Sequence, residues 1–216
     1  MKKIILALDI SDIYQAKRIV NQTYQYVDIY KIGPGLFIEY GRSIIDYIIG
    51  INKKIFLDLK LYDIPITVQR AVKAAYNLGV FSLTIHASGG EKMMKAVTSV
   101  VNRPKIWAVT ILTSEATSTE KVLQMVKIAN SCDVDGVISS PLEIESIKKQ
   151  YGKTFNVITP GIRLQNQDND DQLRVSTPIN AIKKGADFIV IGRTILKDKN
   201  PIETLKKIYE DIQNLT

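Results

Sequence analysis

Hydrophobic positions in this chain fall into short β-branched runs separated by longer stretches in which apolar residues recur every three or four positions. The runs occupy 3–8, 28–32, 55–59, 82–86, 105–111, 136–139, 155–159 and 188–191. Each is too short for a helix and reads as a strand buried on both faces. The stretches between them carry helical patterns. Over 67–78, for example, Val68, Ala71, Val72, Ala75 and Leu78 share one face, and Gly79 supplies the stop signal.

Eight strands alternating with helices predict a single (β/α)₈ TIM barrel domain spanning residues 1–216, with no Gly/Pro/Ser-rich linker to divide it. A doubly wound open sheet is the alternative. It is weakened because no G-x-G-x-x-G turn follows the first strand. A barrel would carry its site at the C-terminal ends of the strands. Polar residues fall there: Asp9, Lys31, Asp58 and Lys60, His86, Thr113 and Ser114, and Gly192-Arg193. The longest polar connection, 161–172, follows the seventh strand and is long enough to act as a lid.

The most informative segment is Asp58-Leu59-Lys60-Leu61-Tyr62-Asp63-Ile64-Pro65-Ile66-Thr67. It sets three charges at the end of the apolar run Ile55-Phe56-Leu57. Residues two apart in a strand share a face, so Asp58 and Lys60 point one way and Leu57, Leu59 and Leu61 the other. Asp63 follows where Ile64-Pro65 ends the ladder. A structural ion network would explain such alternating charge, yet buried ion pairs are often no more stabilising than packed apolar residues. Carboxylates that hold a proton-delivering lysine explain the position better.

Ile189-Val190-Ile191-Gly192-Arg193 runs straight into a helix start, where backbone N–H groups and a guanidinium make an anion site. The plainer alternative is a tight βα turn with a surface arginine. Arg163 and Gln172 are further donors from the seventh loop. The only histidine, His86, reads better as shaping the mouth than as a general base. With one histidine and the distant Cys132, a transition-metal site is not expected. Carboxylates could still hold Mg²⁺.

Composition narrows the partners. Net charge is +7, but the lysines are scattered in pairs without a dense basic tract, so nucleic acid is not an expected partner. A solvated basic surface and a phosphorylated small substrate fit better. No apolar stretch approaches a membrane span, and the run after Met1 is short and ends in Asp9, so neither membrane association nor a signal peptide is expected. A single cysteine agrees with a reducing, cytoplasmic compartment.

The run 58–67 closely resembles the signature D-x-K-x-x-D-I-P-x-T of the orotidine 5′-phosphate decarboxylase family. Ala7-Leu8-Asp9, Lys31-Ile32-Gly33, Thr159-Pro160-Gly161-Ile162-Arg163 with Asp171-Gln172, and Ile191-Gly192-Arg193 match in order. Tyr62 stands where histidine is usual and Ile66 where asparagine is usual. Related Mg²⁺-dependent sugar-phosphate decarboxylases and synthases share D-x-K-x-x-D, but typically have glutamate at the position of Lys31 and a glycine-containing turn in place of Ile64-Pro65. An ammonium there would remove a metal ligand and repel the cation.

The resemblance implies cofactor-free and metal-free decarboxylation of orotidine 5′-monophosphate, the last step of pyrimidine nucleotide synthesis. It implies Lys60 as proton donor and Asp58 beside the departing carboxylate, with Lys31 and Asp63 completing the charge chain. Asp9, Lys31 and Thr67 would hold the ribose, one of Thr113 and Ser114 the pyrimidine amide edge, and Arg163, Gln172, Gly192 and Arg193 the phosphate. It further implies a homodimer with shared sites, because the family pattern places Asp63 in the other subunit's site.

Overall fold

The computed structural model describes residues 2–164 and 174–215. Eight parallel strands among them close in sequence order: β1 (Ile4–Ala7), β2 (Ile29–Ile32), β3 (Lys54–Leu61), β4 (Ser82–His86), β5 (Lys105–Val109), β6 (Gly136–Ile138), β7 (Asn156–Thr159) and β8 (Phe188–Ile191). Closure comes from β1 beside β8, with Ile5 opposite Val190. This is the (β/α)₈ barrel that the alternation of runs predicts. Strand ends differ from expectation by a residue or two. At β5 the last two expected residues leave the ladder, where the Thr110 amide and hydroxyl both donate to the Ile138 carbonyl.

The apolar runs are continuous because each strand packs on two sides. Ile4, Leu6 and Leu8 face the helical shell, where they join Val20, Ile44 and Ile208. Ile5 and Ala7 face inward, with Ile29, Phe56, Trp107, Ile158, Phe188 and Val190. The Trp107 ring meets Phe56 nearly edge-on at 4.7 Å between centroids. Such aromatic packing fills the lower barrel, so polar side chains collect only at the open end.

Local signals explain the helix boundaries near the site. The helix expected over 67–78 begins earlier, at Pro65–Asn77, with the proline in its first turn. Proline has no N–H to leave unsatisfied there, and it holds Ile64 in extended geometry (ψ 150°). The helix ends against Gly79, whose φ of 76° turns the chain so that the Val80 amide reaches back to the Ala75 carbonyl at 3.4 Å. Asp12, Ser118 and Thr177 cap the helices Ile13–Thr23, Thr119–Ser131 and Pro178–Lys183 through their side-chain oxygens.

Candidate active site

At the C-terminal mouth lies a cavity of about 240 Å³, lined by Ala7, Asp9, Lys31, Phe56, Asp58, Lys60, Thr113, Ser114, Gly161, Arg163, Gly192 and Arg193, among others. Charged side chains alternate in sign along one wall. Lys31 Nζ is 2.9 Å from Asp9 Oδ1 and 3.6 Å from Asp58 Oδ2, and Lys60 Nζ is 2.9 Å from the same Asp58 oxygen. Asp58 is buried, whereas half of the Asp9 side chain is open to solvent. Burial pushes the Asp58 carboxyl up, but Lys31, then Lys60, and hydrogen bonds from Lys60 and Thr84 outweigh it, and the group stays below the usual carboxylate range. Asp58 is therefore an anion at neutral pH.

Asp58 and Lys60 share a face as expected, but not by regular alternation. Leu57 pairs with Leu83 and Leu61 with Ile85, so Asp58, Leu59 and Lys60 lie opposite the single residue Thr84. The extra length is taken up in a bulge where Lys60 has φ 49°, a left-handed conformation costly for a residue with a Cβ. Thr84 fills the bulge. Its Oγ1 donates to Asp58 Oδ1 at 2.9 Å and accepts the Lys60 amide at 2.9 Å. The sequence reading misses Thr84, since threonine is an ordinary strand residue; its one signal is a polar side chain inside an apolar run.

Two arginines also line the cavity. Arg163 is 9% exposed and follows β7, while Arg193 follows β8 directly. Gly192 is needed for close approach, because a Cβ there would stand 3.1 Å from the Ala7 Cβ and 3.3 Å from Asp9 Oδ2. Thr194 Oγ1 donates to the Ile162 carbonyl at 2.8 Å and ties the two arginine-bearing segments together. Gln172 lies outside the described residues.

Asp63 and Thr67 are not brought into the cavity of their own chain. Both are exposed, and the Asp63 carboxylate instead accepts the Ile64 amide at 2.6 Å. Tyr62, Ile64 and Ile66 beside them are exposed too, at 65%, 62% and 48%. The His86 ring stands edge-on to Tyr62, 6.2 Å between centroids, at the rim. Burial, then the nearby Lys60 charge, holds its pKa below the usual histidine range. Among the described residues no group of three or more His, Cys, Asp or Glu side chains is placed to hold a metal ion.

Residues 2–208 match the Orotidine 5'-phosphate decarboxylase / HUMPS family. The chain belongs to this family. An orotidine 5'-phosphate decarboxylase of Geobacter sp. (strain M21) is 38% identical, over 98% of this chain and 96% of that protein. Among solved structures, the orotidine 5'-phosphate decarboxylase of Lactobacillus acidophilus is 32% identical with a TM-score of 0.82, covering 98% of this chain and 99% of its own. That of Pyrococcus horikoshii OT3 gives a TM-score of 0.83 at 26% identity, over 97% of this chain and 99% of its own. The match to the family thus spans nearly the whole chain.

Proposed function

We propose that the chain is an orotidine 5′-phosphate decarboxylase, converting orotidine 5′-monophosphate to uridine 5′-monophosphate and CO₂ without cofactor or metal. The observation that carries this reading is the row Asp9–Lys31–Asp58–Lys60, lining a cavity that Arg163 and Arg193 line as well. A phosphate at the arginines leaves the pyrimidine at the row of charges. The Mg²⁺-dependent alternative fits poorly, because the Lys31 ammonium already sits between the carboxylates of Asp9 and Asp58.

In this reading the C6–carboxylate bond breaks with its electron pair left on C6, and CO₂ departs. Lys60 stabilises the developing carbanion and then gives it a proton; solvent restores the ammonium. Asp58, held as an anion, faces the substrate carboxylate, and their repulsion is relieved as CO₂ leaves. Lys31 keeps the Asp58 charge aligned and, with Asp9, meets the ribose hydroxyls. Electrostatic stabilisation by fixed charges is the main catalytic effect available here. Thr113 and Ser114 hydrogen-bond the pyrimidine amide edge, and Gln172 and the Gly192 amide join the arginines on phosphate. Remote phosphate binding then supports chemistry at C6.

The active unit in this proposal is a cytoplasmic homodimer in which Asp63 and Thr67 enter the neighbouring subunit's cavity. Support comes from their absence from their own cavity and from the exposed apolar residues around them. For the compartment, the support is a single, buried, unpaired cysteine. No helix among the described residues is long and apolar enough to cross a membrane.

The test is ultraviolet absorbance of orotidine 5′-monophosphate mixed with protein in excess EDTA. Full turnover is expected. An unchanged spectrum, together with Mg²⁺-dependent turnover of a sugar phosphate, would instead support the sugar-phosphate decarboxylase reading.

A further inference from the structure

The mouth holds a second buried charge pair that the proposed chemistry does not use. Arg174 and Glu143 are 8% and 1% exposed, and Arg174 Nη1 donates to Glu143 Oε1 at 3.0 Å. The other carboxylate oxygen accepts Ser139 Oγ at 3.3 Å and a closer bond from Ser140 Oγ, both just past β6. Nη2 of the same guanidinium reaches out of the pair to the Leu112 carbonyl at 3.1 Å. That carbonyl also accepts the Glu115 amide at 2.9 Å, closing the turn that presents Thr113 and Ser114 to the cavity. Arg174 is in turn anchored to the β7 segment, because Ser176, two residues on, exchanges backbone hydrogen bonds with Gly161 and Arg163 at 3.0 and 2.9 Å.

A buried ion pair is a poor device for stability when apolar residues of similar volume would do as well. Here the pair bridges three loops. The guanidinium fork can satisfy a carboxylate and a carbonyl at once, in fixed relative directions, and a lysine cannot.

We infer that Arg174 is a positioning residue: held by Glu143, it fixes the Leu112–Glu115 turn, and so the Thr113 and Ser114 side chains, relative to the segment carrying Arg163. This inference rests on the reading of Thr113 and Ser114 as pyrimidine contacts. Neither Arg174 nor Glu143 lines the cavity itself, so any effect on turnover passes through other groups.

A double-mutant cycle tests it. Arg174→Met combined with Glu143→Gln leaves no buried unpaired charge, which favours a folded protein. In the otherwise wild-type enzyme this pair should lower kcat/KM for orotidine 5′-monophosphate by about tenfold or more, and in a Thr113→Ala/Ser114→Ala background by less than about twofold. Equal losses in both backgrounds would overturn the inference, since a general structural defect does not depend on Thr113 and Ser114. Arg174→Lys keeps the charge but not the second bond, and should remain impaired; wild-type kcat/KM in that variant would also overturn it.

Amide hydrogen exchange gives an answer that does not depend on activity. Without substrate, the amides of 113–115 should exchange faster in the Arg174→Met/Glu143→Gln protein while the strands are unaffected, and unchanged exchange there would refute the inference. Wild-type protein that leaves orotidine 5′-monophosphate intact would refute the functional reading instead, and exchange would then decide the positioning role alone.

Discussion

Thr84 Oγ1 stands 2.9 Å from Asp58 Oδ1, one strand across, and is the only residue opposite a three-residue bulge in its neighbour. A single hydroxyl thereby holds both the Asp58 carboxylate and the left-handed backbone of Lys60.

Thr84→Val should therefore fold and still lose turnover. The substitution preserves shape but leaves a carboxylate oxygen and an amide without their partner. Removing hydrogen bonds to a charged group costs about 1.5 to 3 kcal/mol, so kcat should fall roughly 10- to 100-fold with KM changed much less. Steady-state kinetics would show this, and an unchanged kcat would remove Thr84 from the catalytic geometry.

The left-handed backbone at Lys60 has its own signature in stability. In an ordinary strand glycine is less stable than alanine. At φ 49° the order should invert, with Lys60→Gly more stable than Lys60→Ala by about 0.5 to 1 kcal/mol in urea denaturation. A less stable glycine variant would mean that the strain is absent in solution.

Asp58 links the site to pH. Its carboxyl is held below the usual range in the folded protein, so its contribution to stability is complete above the unfolded value and is lost as pH falls through the folded one. The difference in Tm between wild type and Asp58→Asn should accordingly be constant near neutrality and shift against the wild type below about pH 4. A difference independent of pH from neutrality into that acid range would contradict the depressed value.

The proposed sharing of sites between subunits predicts complementation. Lys60→Ala and Asp63→Asn should each be nearly inactive, the first for want of a proton donor and the second because the charge chain is broken. In a mixed dimer one site carries both defects and the other neither. Random subunit exchange then restores about a quarter of wild-type activity. Exchange demonstrated by native mass spectrometry with no activity regained would show that Asp63 serves its own chain.

The barrel was legible because its strands are packed on two sides and so appear as mostly apolar runs, several of them ended by a polar or charged residue where the mouth begins. Asp58 and Lys60 stood out for the same reason: charge at the end of Ile55-Phe56-Leu57 has few bland explanations. The bulge did not, because lysine gives no warning of a positive φ as glycine or asparagine would. Thr84 was hidden by being a normal strand residue. Glu143 and Arg174 were hidden by distance, since each alone is an unremarked charge in a polar stretch and only folding makes them a pair.

The lack of room for a side chain at Gly192 beside Ala7 and Asp9 has a consequence for the order in which the site can come into being. The first strand supplies one side of that close approach and the last strand the other, so the cavity is a product of ring closure. During synthesis, Asp9, Lys31, Asp58 and Lys60 leave the ribosome well before Gly192 and Arg193. Until the eighth strand docks against the first, the charged row has no β8 neighbour, and a chain arrested short of that point has neither Gly192 nor Arg193 to line the cavity.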